Sequence, residues 1–525
     1  MNNARVASGR SGIATPRLLA AIAVGLLAQH AAASPADRPV GQFESHGDIG
    51  SPKMAGNAVY NGATQEYTLT AGGTNMWDTK DEFHFAWRKL RGDFILQARV
   101  EFIGEGVDPH RKAGIIVRKS LDADSPYVDA ALHGGDGLTS LQWRRTGGAI
   151  TEQAPMEAAE WADMIQLERK GETYTLYAAR FGEPFARQQV ADVELGDEVF
   201  VGLFLCSHSA DVIEQAIFRN VRIVRPAADD FVPYRDYIGS QLELLDVETG
   251  LRQIVYSSRQ PFEAPNWTAD GTALMYNTSG RTEAWGRIVL FDLLSRRPSL
   301  VDTGFATRNN NDHVLSFDGT MLAISDQSTD AGESTIFTLP ATGGTPRRIT
   351  PLTPSYMHSW SPDGKFLLYT GGRDGEFDIY RMPSDGSGTE VRLTTARGVD
   401  DGPEYTPDGK YIYFNSVRSG KMQIWRMTAE GKDQERVTED EYNNWFPHIS
   451  PDGKWIAMIS YDDDLDKIEP SDHPYYKRVY LRLMPAEGGE AEIIAYVYGG
   501  QGTINVPSWS PDGKTIAFVS NTDFD

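Results

Sequence analysis

Two patterns of apolar and polar positions divide the chain. Over residues 41–225 short runs alternate apolar with polar side chains at 94–102, 113–119, 127–132, 139–145, 164–169, 174–179, 199–206 and 215–223, with Gly, Asp and Pro between them. A period of two marks half-buried strands, and eight or more such runs over this length predict an antiparallel β-sandwich. Lys170-Gly171-Glu172 joins two of the runs as a hairpin.

The second pattern repeats. Thr268-Ala269-Asp270-Gly271, Ser316-Phe317-Asp318-Gly319, Ser361-Pro362-Asp363-Gly364, Thr406-Pro407-Asp408-Gly409, Ser450-Pro451-Asp452-Gly453 and Ser510-Pro511-Asp512-Gly513 are one tetrad six times, their Asp residues 48, 45, 45, 44 and 60 places apart. Pro fixes φ, Asp accepts from the following backbone and Gly takes a positive φ, so each tetrad predicts a tight turn between two strands. A period of about 45 residues with four short strands predicts a β-propeller blade. In the fourth repeat the strands are read at 403–405, 411–415, 423–427 and 435–438. The sixth tetrad is followed by one strand only, and residues 241–246 and 252–256 precede the first tetrad as unattached strands. Supplying the missing pair from the start of the domain closes a ring of six blades over residues 235–525 and removes an open sheet edge.

The Trp-Ser-Pro-Asp-Gly-Lys runs at 360–365 and 509–514, with Asp378-Ile379-Tyr380-Arg381-Met382 and Arg392-Leu393-Thr394 after the first, resemble the repeat of TolB-type six-bladed propellers. That resemblance implies a fold used by peptide-binding proteins, by the gating domains of prolyl-oligopeptidase-type enzymes and by metal-dependent oligogalacturonate lyases. TolB itself carries a small α/β domain before its propeller, whereas here Gly92-Asp93-Phe94, Ala113 to Arg118, Gln142-Trp143-Arg144 and Ile165 to Gly171 resemble a concanavalin-like jelly roll.

Charge and composition narrow the function. The 525 residues carry 50 Lys plus Arg against 73 Asp plus Glu, a formal −23, which argues against nucleic acid or anionic lipid as partner. Arg5, Arg10 and Arg17 precede an apolar run at 18–27, with Ala31 and Ala33 spaced for cleavage, so residues 1–33 predict a signal peptide and a periplasmic or secreted product. No later run has the ~18 apolar residues of a membrane span. The lone Cys206 allows no internal disulfide.

Candidate chemistry follows from topology. With the Asp-Gly turns on one face, the segments before each tetrad gather at the opposite mouth of the channel, and Asp312, His313, His358, Arg373, Asp401, Glu404, Trp445, His448 and Asn505 are the candidate ligand-binding residues there. An insertion from Asp462 to Tyr475 overhangs the same face. His313 and His358 fall five places before their tetrad Asp and His448 four, so the three imidazoles are a candidate site for a divalent metal such as manganese or calcium, polarising a uronate carboxylate or activating water. The same positions equally suit hydrogen bonds between neighbouring blades. On the sandwich, Trp77, Trp87, Arg118, His133, Asp136, Trp143 and Arg144 are candidates for stacking on and hydrogen-bonding a sugar, or for core roles.

No Gly-x-Ser-x-Gly elbow, no phosphate loop and no Glu-x-Asp-x-x-Glu pair occurs, and 12 residues follow the sixth tetrad, too few for a hydrolase domain. The expectation is an exported, non-catalytic protein that recognises a saccharide or glycan fragment. A metal-dependent polysaccharide lyase or glycoside hydrolase is the alternative, and a TolB-like scaffold binding an envelope protein or peptide the second.

Overall fold

The structure is a computed structural model and describes residues 38–280, 285–329 and 332–524; the signal segment read at 1–33 lies outside them. Among the described residues every regular element longer than three residues is a strand. No helix there is long and apolar enough to cross a membrane.

The first half is two seven-stranded antiparallel sheets face to face. One runs Ser45–Ile49, Phe83–Arg91, Glu198–Cys206, Lys112–Arg118, Tyr127–His133, Thr139–Arg144 and Glu152–Pro155; the other runs Ala186–Val190, Thr173–Ala179, Met164–Lys170, Phe94–Ile103, Ser209–Val224, Glu66–Gly73 and Asn57–Asn61. Their inward residues, Leu69, Leu96, Ile115, Val117, Leu167, Leu176, Val201 and Leu203 among them, form one buried core. This is the layered packing that alternation at period two requires.

The second half is a six-bladed propeller. Five blades have four antiparallel strands in simple succession, the fourth being Asp400–Tyr405, Tyr411–Ser416, Gln423–Thr428 and Glu435–Arg436. In the sixth, Thr515–Thr522 pairs with Gly239–Asp246, which pairs with Arg252–Ser258, so strands from both ends of the domain share one sheet. The innermost strand predicted before the sixth tetrad is reduced to a single bridge, Trp509 with Ile516, behind a 3₁₀ turn at Gln501–Thr503.

The tetrads form the turns predicted from them. In each, the first residue's hydroxyl donates to the Asp carboxylate, at 2.6 Å from Ser316 to Asp318 and 2.7 Å from Ser361 to Asp363, and the Gly φ stays within +69° to +74° across all six. The sequence reading had the Asp accepting from backbone; the hydroxyl bond adds a second reason for Ser or Thr at the head of the motif.

The halves are docked, not strung. Glu243, in the strand that closes the ring, is buried between Arg222 of the sandwich at 2.7 Å and Arg252 at 2.7 Å. Phe185 of the sandwich packs on Tyr480 and Tyr496 of the fifth blade, and Arg478 pairs with Glu168. The connecting segment crosses the propeller face: Phe231 lies on Tyr476, and Tyr234 and Tyr237 pack edge-on to Tyr475 of the insertion.

Candidate functional site

The central channel opens into a cavity at each end. The smaller, about 300 Å³, lies among the tetrads and is lined by Trp267, Leu315, Trp360, Tyr405, Ile449 and Trp509. The larger, about 790 Å³, lies at the opposite mouth, where the sequence places the polar segments, and its wall is of another character: carboxylates, imidazoles, amides and tyrosines.

Each blade contributes through the strand before its tetrad. The residues seven places before the six tetrad aspartates are Glu263, Asn311, Tyr356, Asp401, Trp445 and Asn505. Five of them line the cavity, and Trp445 packs tilted behind the lining residue His473, ring centroids 4.7 Å apart. The innermost strands carry bulges just after this position, as between Glu263 and Asn266 or Asp401 and Glu404. A bulge inserts an unpaired residue and re-aims the side chains beyond it, so a count from the turn does not preserve the face.

That bulge explains the fate of the three histidines. His358 falls inside the bulge between Met357 and Ser359 and turns into the cavity. His313 lies past its bulge, pairs with Ile324 and is fully buried, and burial holds its imidazole down to about 4. His448 spans blades: Nδ1 is 2.6 Å from Glu404 Oε2 and Nε2 is 2.5 Å from the Ile504 carbonyl. The expected metal set of His313, His358 and His448 is therefore not assembled. The one group of three or more such side chains with ligand atoms within 4.8 Å of one another, among the described residues, lies in the sandwich.

Two further funnel candidates are corrected. Glu404 faces the smaller cavity, where it also accepts from the Ile449 backbone N–H at 2.8 Å. Arg373 does not line the larger cavity; Glu390 holds it by two bonds of 2.9 Å, and it donates to the Pro354 carbonyl at 2.6 Å.

Asp401 is the hub of what remains. Its Oδ1 accepts from Thr370 at 2.6 Å and lies 3.1 Å from His358 Nε2, while Oδ2 lies 3.1 Å from Nε2 of His473 on the insertion. Burial alone would raise this carboxyl; the hydrogen bonds and charges of His358 and His473 outweigh it and hold Asp401 well below the usual range. His358 responds in reverse: burial pulls it down, but Asp401, with Asp312 and Glu404 beyond, raises it above its ordinary 6.5.

Two acids on the opposite wall are hydrogen-bonded to amides and not to an imidazole. Asp312 accepts from Asn505 at 2.7 Å and Asn310 at 2.6 Å, both neutral, and burial raises its pKa against the opposing charge of His358. Glu263, which the sequence reading missed, accepts from Asn311 at 3.2 Å, and burial together with the charge of Asp312 pushes it up to about 7. Tyr234, Tyr356 and Tyr475 complete a wall that the linker and the insertion roof over.

The sandwich candidates separate differently. Arg118 and Arg144 are wholly buried, both on Asp81 at 2.7 Å, and Trp87 packs in the core against Phe85 at 5.4 Å. None of these three is open to a sugar. Trp77 and Trp143 are half-buried, Trp77 beneath the Lys112 ammonium at 5.5 Å and Trp143 against the core. His133 sits apart from them, beside Asp136 and His110.

Comparison with known proteins bears on the propeller half. The family model for the TolB beta propeller domain matches residues 359–476. The uncharacterized protein Atu1656 of Agrobacterium fabrum is 47% identical over 283 residues, which make up 53% of this chain and 92% of that protein. A solved structure from Agrobacterium tumefaciens, provisionally named a TolB, is 46% identical with a TM-score of 0.50, over 55% of this chain and 99% of that one. TolB from Acinetobacter baumannii is similar at 15% identity and a TM-score of 0.40, over 64% of this chain and 79% of that one.

Proposed function

We propose that this chain, which belongs through its propeller to the same TolB-type family as Agrobacterium Atu1656, is an exported binding scaffold that takes a positively charged group of a protein or peptide into its roofed funnel. The observation that carries this is the pair Glu263 and Asp312. Two buried carboxyls face one cavity and accept hydrogen bonds from amides there; burial raises both pKa values, and the charge of Asp312 adds to the rise at Glu263. A lysine, arginine or terminal ammonium between them supplies the missing countercharge, and Tyr234, Tyr356 and Tyr475 offer π faces to the same cation.

Asp401 has a different role. Its charge is already matched by His358 and His473, so it fastens the insertion over the funnel and leaves Glu263 and Asp312 to the ligand. The saccharide reading has less to rest on, since Arg118, Arg144 and Trp87 are committed to the core. The sandwich, which resembles concanavalin-like modules in sequence, then serves as a docking body braced on the fifth and sixth blades.

Calorimetric titration with short peptides bearing free or acetylated amines tests the reading. Peptides with a free Lys side chain or N-terminal amine bind, fully acetylated ones without Arg do not, and Glu263→Gln removes the difference. Equal binding of acetylated peptides, or binding of neutral oligosaccharides alone, overturns it.

A further inference from the structure

Two connections meet at one end of the sandwich, the loop before Lys112 and the turn after Tyr127–His133, and bring together a group of side chains that the funnel does not use. His110 Nδ1 lies 3.1 Å from Asp136 Oδ2, and His133 Nδ1 lies 3.2 Å from Asp136 Oδ1. One ligand atom from each of the three falls within 4.8 Å of the others. A tetrahedral ion with bonds of about 2.0–2.1 Å to nitrogen and oxygen separates its ligands by roughly 3.3–3.4 Å, so contacts of this size are also those around a bound metal.

The loops are built to hold that geometry. The Asp108 carboxylate accepts from the His110 backbone N–H at 2.8 Å, which sets the turn that presents His110. Gly134 and Gly135, leading into the turn that bears Asp136, donate to the carbonyls of Arg111 at 2.9 Å and Pro109 at 3.1 Å. That approach leaves no room for a side chain: a Cβ on Gly135 would stand 2.4 Å from Pro109 Cα. Beneath, the buried Arg111 is fixed by Glu214 at 2.7 Å and the Gly104 carbonyl at 2.6 Å.

Two further imidazole nitrogens adjoin the group. Nε2 of His133 and Nε2 of His208 are buried with no hydrogen-bonding partner in the protein, and the His208 ring centroid is 5.9 Å from that of His110. His133 itself is 8% exposed. Lys112 is a buried cation nearby whose charge reaches both His133 and His208 and is offset in part by Asp129.

We infer that His110, His133 and Asp136 form a site for one divalent transition-metal ion of the zinc class, with a fourth position open on the exposed His110 side. Two imidazoles and a carboxylate are borderline-to-hard donors that suit zinc, nickel or copper(II) better than calcium, which takes six to eight oxygens. The site is remote from the funnel and independent of the peptide reading.

The test is titration of the untagged, chelator-treated full chain with Zn²⁺, and with Co²⁺, whose visible absorption reports tetrahedral coordination. One equivalent is expected to bind saturably, with an intense cobalt band. His110→Gln, at a half-exposed residue whose loss does not endanger folding, and Asp136→Asn each weaken binding by roughly tenfold to a hundredfold or more. His358→Gln in the funnel leaves it unchanged. Absence of saturable binding at micromolar metal overturns the inference, as does binding that survives His110→Gln and Asp136→Asn in variants that melt like the parent. Either result means the three side chains are hydrogen-bonded to one another and nothing more.

Discussion

Nε2 of His473, carried on the insertion in the fifth blade, lies 3.1 Å from Oδ2 of Asp401 on the innermost strand of the fourth. One hydrogen-bonded contact thus ties the roof of the funnel to its wall. His473→Ala is expected to cost about 1–2 kcal/mol and to speed amide exchange at residues 471–475 while the blades keep their protection. Exchange that rises equally in all blades would assign the contact to global stability instead.

The dyad of Asp401 and His358 gives stability a pH window. Asp401 is depressed, so its contribution is complete above the ordinary value of 3.8 and is lost as pH falls through the folded value. His358 is raised, so its contribution is complete below 6.5 and is lost as pH rises through the folded value. Denaturant midpoints of the parent relative to an Asp401→Asn, His358→Gln double variant are expected to differ most between these limits. A difference that is flat from pH 4 to 9 would contradict the coupling.

Glu263 has the opposite sign. Its folded pKa of about 7 exceeds the ordinary 4.5, so unfolding releases a proton and stability declines as pH rises between the two. Glu263→Gln removes that decline and is expected to gain up to about 3 kcal/mol over the parent at pH 8, and nothing at pH 4. A variant less stable than the parent at pH 8 would mean that the carboxylate is already matched by a cation.

Glu243 is held down to about 2: burial opposes the charge, and Arg222 and Arg252 more than offset it. Glu243→Ala leaves two guanidiniums without their anion inside the domain junction and is expected to cost about 3–5 kcal/mol. Parent stability from this group is complete above pH 4.5 and fades towards pH 2, so parent and variant melts converge in acid.

The tetrad glycines offer a graded test of backbone cost. A Cβ at Gly364 meets nothing within 4 Å, so Gly364→Ala pays only for φ +70°, about 1–2 kcal/mol. At Gly319 the new methyl stands 2.7 Å from Ala269 Cβ, and the loss should be larger. Equal losses would mean that the Ala269 turn yields.

The propeller was legible because its signals are local. Ser or Thr, Asp and Gly at fixed offsets specify a turn, and six turns at one period specify a ring. The eight alternating runs of the sandwich appear as strands at nearly the expected limits, whereas Ser45–Ile49, Asn57–Asn61, Glu66–Gly73, Phe83–Arg91, Glu152–Pro155 and Ala186–Val190 are absent from that pattern. Phe83–Arg91 is buried at five successive positions and so has no alternation to read. The funnel was legible as a face but not residue by residue. Counting four or five places before the tetrad Asp selects His358, which lines the cavity, and His313 and His448, which bulges send elsewhere; counting seven adds Glu263, Asn311 and Tyr356 to the candidates Asp401 and Asn505. Arg118 and Arg144 suited a sugar by type, and only the fold reveals that Asp81 claims both.

The shared sheet of the sixth blade also dictates an order of events. Glu243 accepts a hydrogen bond from Ser520 across 277 residues of chain, so the strand that begins the propeller waits for one made near its end. The sandwich, whose strands are complete by Val224, can fold while most of the propeller is still emerging. Until Thr515–Thr522 arrives, Gly239–Asp246 has an unpaired edge beside a finished domain, and that interval is when this protein has most need of a chaperone.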